Sequence, residues 1–225
     1  MKILVVEDEK DLCKSISDYL KMDDFACEAV FDFDEAIQKI RSSEYACIIL
    51  DITLPNGSGL NILKELKEEN KEDGVIIISA KDSLDSKIQG FELGADDYLA
   101  KPFHLAELRA RVHSIIRRKS FNGQNKICVG PLVLDLNKKT LNSSKKIIEL
   151  THKEFDLLIF LIANKNKVLT KEAIVNHLWG DNNIYMVTNY DFIYTHIKNL
   201  RKKLMAEGCQ NYIKVIYGLG YKFEF

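Results

Sequence analysis

Five residues in the first half of this 225-residue chain could do chemistry together, because each falls at the end of a short apolar run. Glu7 and Asp8 follow residues 3–6, Asp51 follows Cys47-Ile-Ile-Leu50, Ser79 closes 75–79, and Lys101-Pro102 follows 98–100. Carboxylates are costly to crowd, since each raises the free energy of ionising its neighbours. A cation removes that cost. Two or three acids with water suit octahedral Mg²⁺, which keeps few protein ligands and favours a phosphate partner. With a lysine opposite, such a metal neutralises the charge on a phosphoryl group in transit. Asp51 would then be the in-line nucleophile, and the product an aspartyl phosphate. Taken alone, Glu7 and Asp8 could equally cap the first helix, whose amides favour acids. Asp51, directly behind four apolar residues, has no such ordinary use.

The elements that must position these residues alternate. Strand-like runs at 3–6, 27–30, 47–50, 75–79 and 98–100 are separated by amphipathic stretches at 11–22, 35–42, 59–69, 83–93 and 105–118. Five βα repeats with short connections predict a parallel sheet covered by helices on both faces. In such sheets chemistry collects beyond the carboxyl ends of the strands. The polar, Asn-Gly-containing segment RRKSFNGQNK at 117–126 breaks the alternation and reads as a linker, which gives domains at 1–118 and 127–225 joined by 119–126. After it come short β-like pieces at 127–150, three helical segments near 153–164, 171–179 and 191–207, and a closing hairpin around Gly218-Leu-Gly220. A small sheet, three helices and a hairpin make a winged-helix pattern.

In order and separation, Val5-Val-Glu-Asp8, Asp51-Ile-Thr-Leu-Pro-Asn-Gly57, Ser79-Ala80 and Asp97-Tyr98…Lys101-Pro102-Phe103 resemble the receiver domain of bacterial response regulators over about 120 residues. The resemblance implies a flavodoxin-like α/β fold with five parallel strands in the order 2-1-3-4-5. It implies that Asp51 takes a phosphoryl group from a sensor histidine kinase. Glu7, Asp8 and Asp51 would bind Mg²⁺, completed by the backbone carbonyl of Thr53 or its neighbour Ile52. Lys101 and Ser79 would contact the phosphoryl oxygens, Tyr98 would reorient with Ser79, and the Lys101-Pro102 peptide would be cis. Residues 85–112 look like the dimerisation face of the OmpR/PhoB subfamily, where the fourth and fifth helices of two copies meet. By position, Lys87 would pair with Glu107 and Asp97 with Arg111 across a two-fold axis, with Glu92 and Arg118 nearby. Such exposed pairs set register more than affinity.

In the second half, Thr151 and Glu154 spell a capping box. That motif, together with Leu178-Trp-Gly180, His196-Ile-Lys-Asn-Leu-Arg-Lys-Lys-Leu204 and Tyr217-Gly-Leu-Gly-Tyr221, is similar to the winged-helix α+β effector domain of OmpR/PhoB-type regulators. The helix at 191–207 would be the recognition helix. Ile193, Ile197, Leu200 and Leu204 recur at helical spacing and should face the core. Lys198, Asn199, Arg201, Lys202 and Lys203 lie off that stripe, where cations neutralise DNA phosphates and Asn199 could bond an adenine edge. Expected DNA contacts also include His196, and Lys214 and Lys222 on the wing. Residues 180–189 resemble the loop that contacts RNA polymerase in this family. Two positions depart from the family pattern. Asp191 stands where a phosphate-binding arginine is usual, and Tyr217 where the wing carries an arginine, so weak monomer binding and a greater need for dimerisation are expected.

Bulk properties agree. Residues 1–125 carry 17 Lys+Arg against 24 Asp+Glu, a net of −7, and residues 126–225 carry 15 against 9, a net of +6. An acidic half joined to a basic half suits two partners, with double-stranded DNA the natural one for the basic half. No run approaches the roughly 18 apolar residues of a membrane span, and acids follow the first apolar run too soon for a secretory signal, so a cytoplasmic protein is expected. The five scattered cysteines form no metal or disulfide pattern. No phosphate-cradling glycine loop follows a strand, and residues 126–225 hold no Ser/His/Asp set. The reading is therefore a non-enzymatic transcription factor that assists only its own phosphorylation and dephosphorylation. An orphan regulator that dimerises without phosphate is the alternative.

Overall fold

The computed structural model describes residues 1–23, 25–81, 83–143, 146–179 and 190–225. The expected polymerase-contacting segment, 180–189, lies outside them. The chain divides into two compact units, Met1–Gly123 and Gln124–Phe225.

In the first unit, β1 (Lys2–Val6), β3 (Cys47–Asp51) and β4 (Gly74–Ser79) are buried along their whole length. This is why their sequences are continuous apolar runs and not alternating ones. With β2 (Ala26–Val30) and β5 (Asp97–Ala100) they form a parallel sheet in the order β2-β1-β3-β4-β5, the predicted topology. Successive residues of each strand feed opposite cores. Leu4, Ile48, Leu50, Val75 and Ile77 pack with α2 (Phe33–Ser42) and α3 (Gly59–Glu68). Ile3, Val5, Ile49, Ile76 and Ile78 pack with α1 (Lys10–Lys21) and α5 (Leu105–Phe121). Each such side chain contributes about 1.5–3 kcal/mol of burial. Asp32, Ser58 and Ser83 cap α2, α3 and α4 (Leu84–Glu92) through their side chains. Helix α5 runs to Phe121, into the segment read as linker. Phe121 is buried, and the stop comes at Asn122 in the left-handed conformation.

The second unit opens with an antiparallel sheet of β6 (Lys126–Val129), β7 (Leu132–Asp135), β8 (Thr140–Ser143) and β9 (Ile147–Ile148). Helix α6 (His152–Ala163) starts on the Thr151–Glu154 capping box. A short strand β10 (Val168–Thr170) leads into α7 (Lys171–Trp179). Then follow α8 (Asp191–Ala206), β11 (Ile213–Ile216) and β12 (Gly220–Phe223). Strand β10 pairs with β12, so the wing is a three-stranded sheet, β10-β12-β11, and not a lone hairpin. Gly220 makes this possible: a Cβ there would lie 2.0 Å from the Leu169 carbonyl oxygen. Ile193, Ile197, Leu200 and Leu204 face the core as expected.

Candidate phosphoacceptor site and nucleic-acid interface

The last residue of β3, Asp51, is only 4% exposed. Its Oδ1 accepts the Thr53 backbone N–H at 2.9 Å, and its Oδ2 lies 2.5 Å from the Lys101 ammonium. Lys101 also donates to Glu7 Oε2 at 2.7 Å. Carboxylate oxygens of Glu7, Asp8 and Asp51 all come within 4.8 Å of one another. The sheet brings these groups together, since β1, β3 and the loop after β5 all end on one edge. Burial raises the pKa of the Glu7 carboxyl, an effect that Lys101 opposes and the Asp51 charge reinforces. Burial pulls the Lys101 pKa down, but its hydrogen bonds to Asp51 and Glu7 outweigh that and hold it above the ordinary lysine range. The ammonium is thus charged between two acids. This hard-oxygen donor set fits Mg²⁺.

Behind Asp51 the chain turns through a pair of two-residue strands, Thr53–Leu54 and Gly57–Ser58, which sequence periodicity was too short to reveal. Gly59 then starts α3 against the site: a Cβ there would lie 2.0 Å from the Asp51 carbonyl oxygen. The Ile52 carbonyl accepts the Gly59 N–H at 2.9 Å, so of the two carbonyls considered for the metal, Ile52 is already engaged. The Lys101-Pro102 peptide is cis.

Ser79 is fully buried, and its Oγ accepts the Lys81 N–H at 3.1 Å. The Tyr98 side chain is turned inward, 7% exposed, with its hydroxyl donating to the Lys81 carbonyl. One peptide residue, Lys81, therefore joins both. This role belongs to main-chain atoms, so the residue type at position 81 carries no signal of it in the sequence. The Tyr98 ring lies close over Gly90 of α4, and the Lys87 ammonium stands 6.0 Å from its centroid. On the same helix Leu84, Ile88 and Phe91 are exposed by 71%, 44% and 49%. Their i, i+4, i+7 spacing makes one apolar row. Glu92 is exposed at the end of α4, and Arg118 reaches the Asp96 carbonyl at 3.5 Å. The Asp97–Arg111 pair expected across a two-fold axis is closed within one chain, at 2.8 and 2.9 Å. Arg111 also holds Glu107 at 2.7 Å. The reason is local: Glu107 and Arg111 are one helical turn apart on α5, beside the start of β5.

On α8, Lys198, Asn199 and Lys202 are exposed. Three other expected DNA contacts are otherwise engaged. The Arg201 guanidinium donates to the Ile213 carbonyl at 3.0 and 2.5 Å, fastening the helix to the wing. Lys203 pairs at 2.6 Å with Glu154, which is 2% exposed and belongs to the capping box. Lys222 pairs with Glu224 at 2.9 Å. His196 is half-buried beside Trp179, and burial holds its imidazole below the ordinary range. Lys214 is exposed, and Tyr217 stands 98% exposed at the wing tip. Among the described residues, no helix is long and apolar enough to cross a membrane.

Two sequence families match the chain, one over each unit. The response regulator receiver domain matches residues 3–113, and the transcriptional regulatory protein C-terminal domain matches residues 144–223. The transcriptional regulatory protein CiaR of Streptococcus pneumoniae is 38% identical over 222 residues, covering 98% of this chain and 97% of that protein. The solved structure of DrrB, an OmpR/PhoB homolog of Thermotoga maritima, is 32% identical over 100% of this chain and 99% of that one, with a TM-score of 0.48. The receiver domain of the Francisella response regulator 1452 is 37% identical over 52% of this chain and 97% of that one, with a TM-score of 0.51. With a receiver domain followed by a winged-helix transcriptional regulatory domain, this chain belongs to the DNA-binding response regulators of two-component systems.

Proposed function

We propose that this regulator is switched by phosphorylation of Asp51. The observation that carries the reading is the ammonium of Lys101 seated between Asp51 and Glu7, with Asp8 at the rim of the same cluster. An Asp51 oxygen forms the new bond to phosphorus as the bond to the histidine nitrogen of a sensor kinase breaks and its electron pair stays on that nitrogen. Glu7, Asp8 and Asp51, with the Thr53 carbonyl, are the groups that would hold Mg²⁺, which when bound neutralises charge on the transferring group. Lys101 follows the phosphoryl oxygens. Ser79 Oγ, now an acceptor, has a proton to donate to them. A shift of Ser79 is felt at Lys81 and, through its carbonyl, at Tyr98 and α4.

The same reading makes the α4–α5 face the homodimer contact, with Leu84, Ile88 and Phe91 as its apolar centre and Lys87, Glu92, Asp97, Glu107, Arg111 and Arg118 around it. Two effector domains then occupy adjacent DNA half-sites. Lys198, Asn199 and Lys202 face the DNA, with His196 beside them and Lys214 on the wing. Residues 180–189 would meet RNA polymerase. The test is direct. With Mg²⁺ and acetyl phosphate, intact mass spectrometry should show one added phosphoryl group, absent in Asp51→Asn, and size-exclusion chromatography should show a monomer becoming a dimer. No mass gain in the wild type would overturn the proposal. A dimer already formed without phosphate, and unchanged by it, would mark an orphan regulator.

A further inference from the structure

We propose that Lys171, the first residue of α7, is the cation that meets a DNA backbone phosphate beside the start of the recognition helix α8. The proposal rests on the DNA-binding reading above and adds a residue to it. The first residue of α8 is Asp191, an acid that suits the helix dipole but repels a phosphate. A cation for that corner must therefore come from another element. The Lys171 ammonium lies 5.3 Å from the ring centroid of Tyr190, immediately before α8, and 5.3 Å from that of Tyr194, one turn into it. The Tyr190 hydroxyl donates to Glu172 Oε1 at 2.5 Å, which fixes that ring. Tyr194 is 46% exposed, so this corner faces solvent. Strand β10, directly before Lys171, pairs with wing strand β12, so the lysine sits where α7, α8 and the wing converge.

The contrast with the other cations is informative. Arg201, Lys203 and Lys222 are bound to a carbonyl or a carboxylate. Among the described residues no carboxylate makes an ion pair with Lys171; its ammonium rests against the Tyr190 and Tyr194 rings and donates a hydrogen bond to the Tyr194 hydroxyl, a neutral partner. Ring faces attract an ammonium without neutralising it. They also remove rotamer freedom that a lysine otherwise loses on binding, and with only neutral oxygen and ring partners the ammonium keeps its charge for an anion. A compact point charge of this kind suits a phosphate oxygen.

The test measures affinity of the full chain for a random-sequence DNA duplex across a salt series. A phosphate contact is sequence-independent, so Lys171→Gln should lower the slope of log K against log salt by about one and weaken binding roughly 5- to 10-fold at moderate salt. Lys171→Met, which keeps the aliphatic stem against the rings, should do the same, so a folding defect in either variant does not decide the outcome. Lys171→Arg should retain the slope. Tyr194→Ala should weaken binding in the wild-type chain and cost nothing further on top of Lys171→Gln, because it acts by positioning the lysine. An unchanged slope in both neutral variants, or a lowered unfolding midpoint with an unchanged slope, would overturn the inference and leave a structural staple. A wild-type chain with no salt-dependent DNA binding would instead overturn the reading on which it rests.

Discussion

Asp23 is a case where one side chain's surroundings decide its protonation. Its carboxyl is 8% exposed, which by itself favours the neutral form, yet it accepts from the Arg109 guanidinium and lies 2.7 Å from His113 Nε2. Burial is the largest single influence, but these hydrogen bonds outweigh it and hold the pKa below the ordinary 3.8. A depressed carboxyl contributes stability that is present above its unfolded value and lost as pH falls through the folded value. Asp23→Asn should therefore cost about 1–2 kcal/mol at neutral pH, discounted because Arg109 is partly exposed. The gap between the two unfolding midpoints should close on acidification below 3.8. Urea titrations at several pH values check both points. At the same scale, the acidic cluster was legible because Glu7, Asp8, Asp51, Ser79 and Lys101 each end a strand-like run. The fates of Arg201 and Lys203 were not. Helical periodicity separates the buried stripe from the rest, but it cannot tell solvent-facing positions from those flanking the stripe, where Arg201 meets β11 and Lys203 meets α6.

Between elements, Glu154 has two uses. It completes the cap of α6 and, through Lys203, ties that helix to α8. Desolvation acts to raise its pKa, and the bonds to Lys203 and Thr151 bring it below the ordinary value. Glu154→Gln keeps an acceptor for the Thr151 N–H but removes the charge. It should lower stability by about 1–2 kcal/mol, read from thermal or urea unfolding, and loosen the recognition helix. The large elements were legible for a physical reason: strands buried on both faces must be apolar throughout, and helices covering them must be amphipathic. Strand β10 and the Thr53–Leu54 and Gly57–Ser58 pair were not, because runs of two or three residues carry no usable period. The wing hairpin was visible from its glycines, but its third strand depends on pairing with distant residues.

For the whole molecule, the charge division is the governing quantity. A unit of net −7 joined to one of net +6 opposes its own approach to DNA. The isolated second unit, Gln124–Phe225, has its own core and should bind random-sequence DNA severalfold more tightly than the full chain at low salt. The difference should shrink above about 0.15 M salt, where the Debye length falls to roughly 8 Å. Fluorescence anisotropy on one labelled duplex at several salt concentrations checks this. Equal affinity at low salt would mean that the acidic unit's field does not reach the DNA site.

The bridge at Lys81 runs through main-chain atoms alone: its N–H serves Ser79 and its carbonyl serves Tyr98. On the proposed reading, a signal from Asp51 would thus pass through a peptide N–H that every amino acid but proline possesses. A scan of side chains would pass over position 81, with Lys81→Ala phosphorylated and dimerising like the wild type. Lys81→Pro deletes the N–H while the acidic cluster stays whole, and should give a chain that takes up phosphate at Asp51 yet no longer changes its oligomeric state. Because the bridge makes no demand on the side chain at this position, substitutions there other than proline should leave Ser79 and Tyr98 connected.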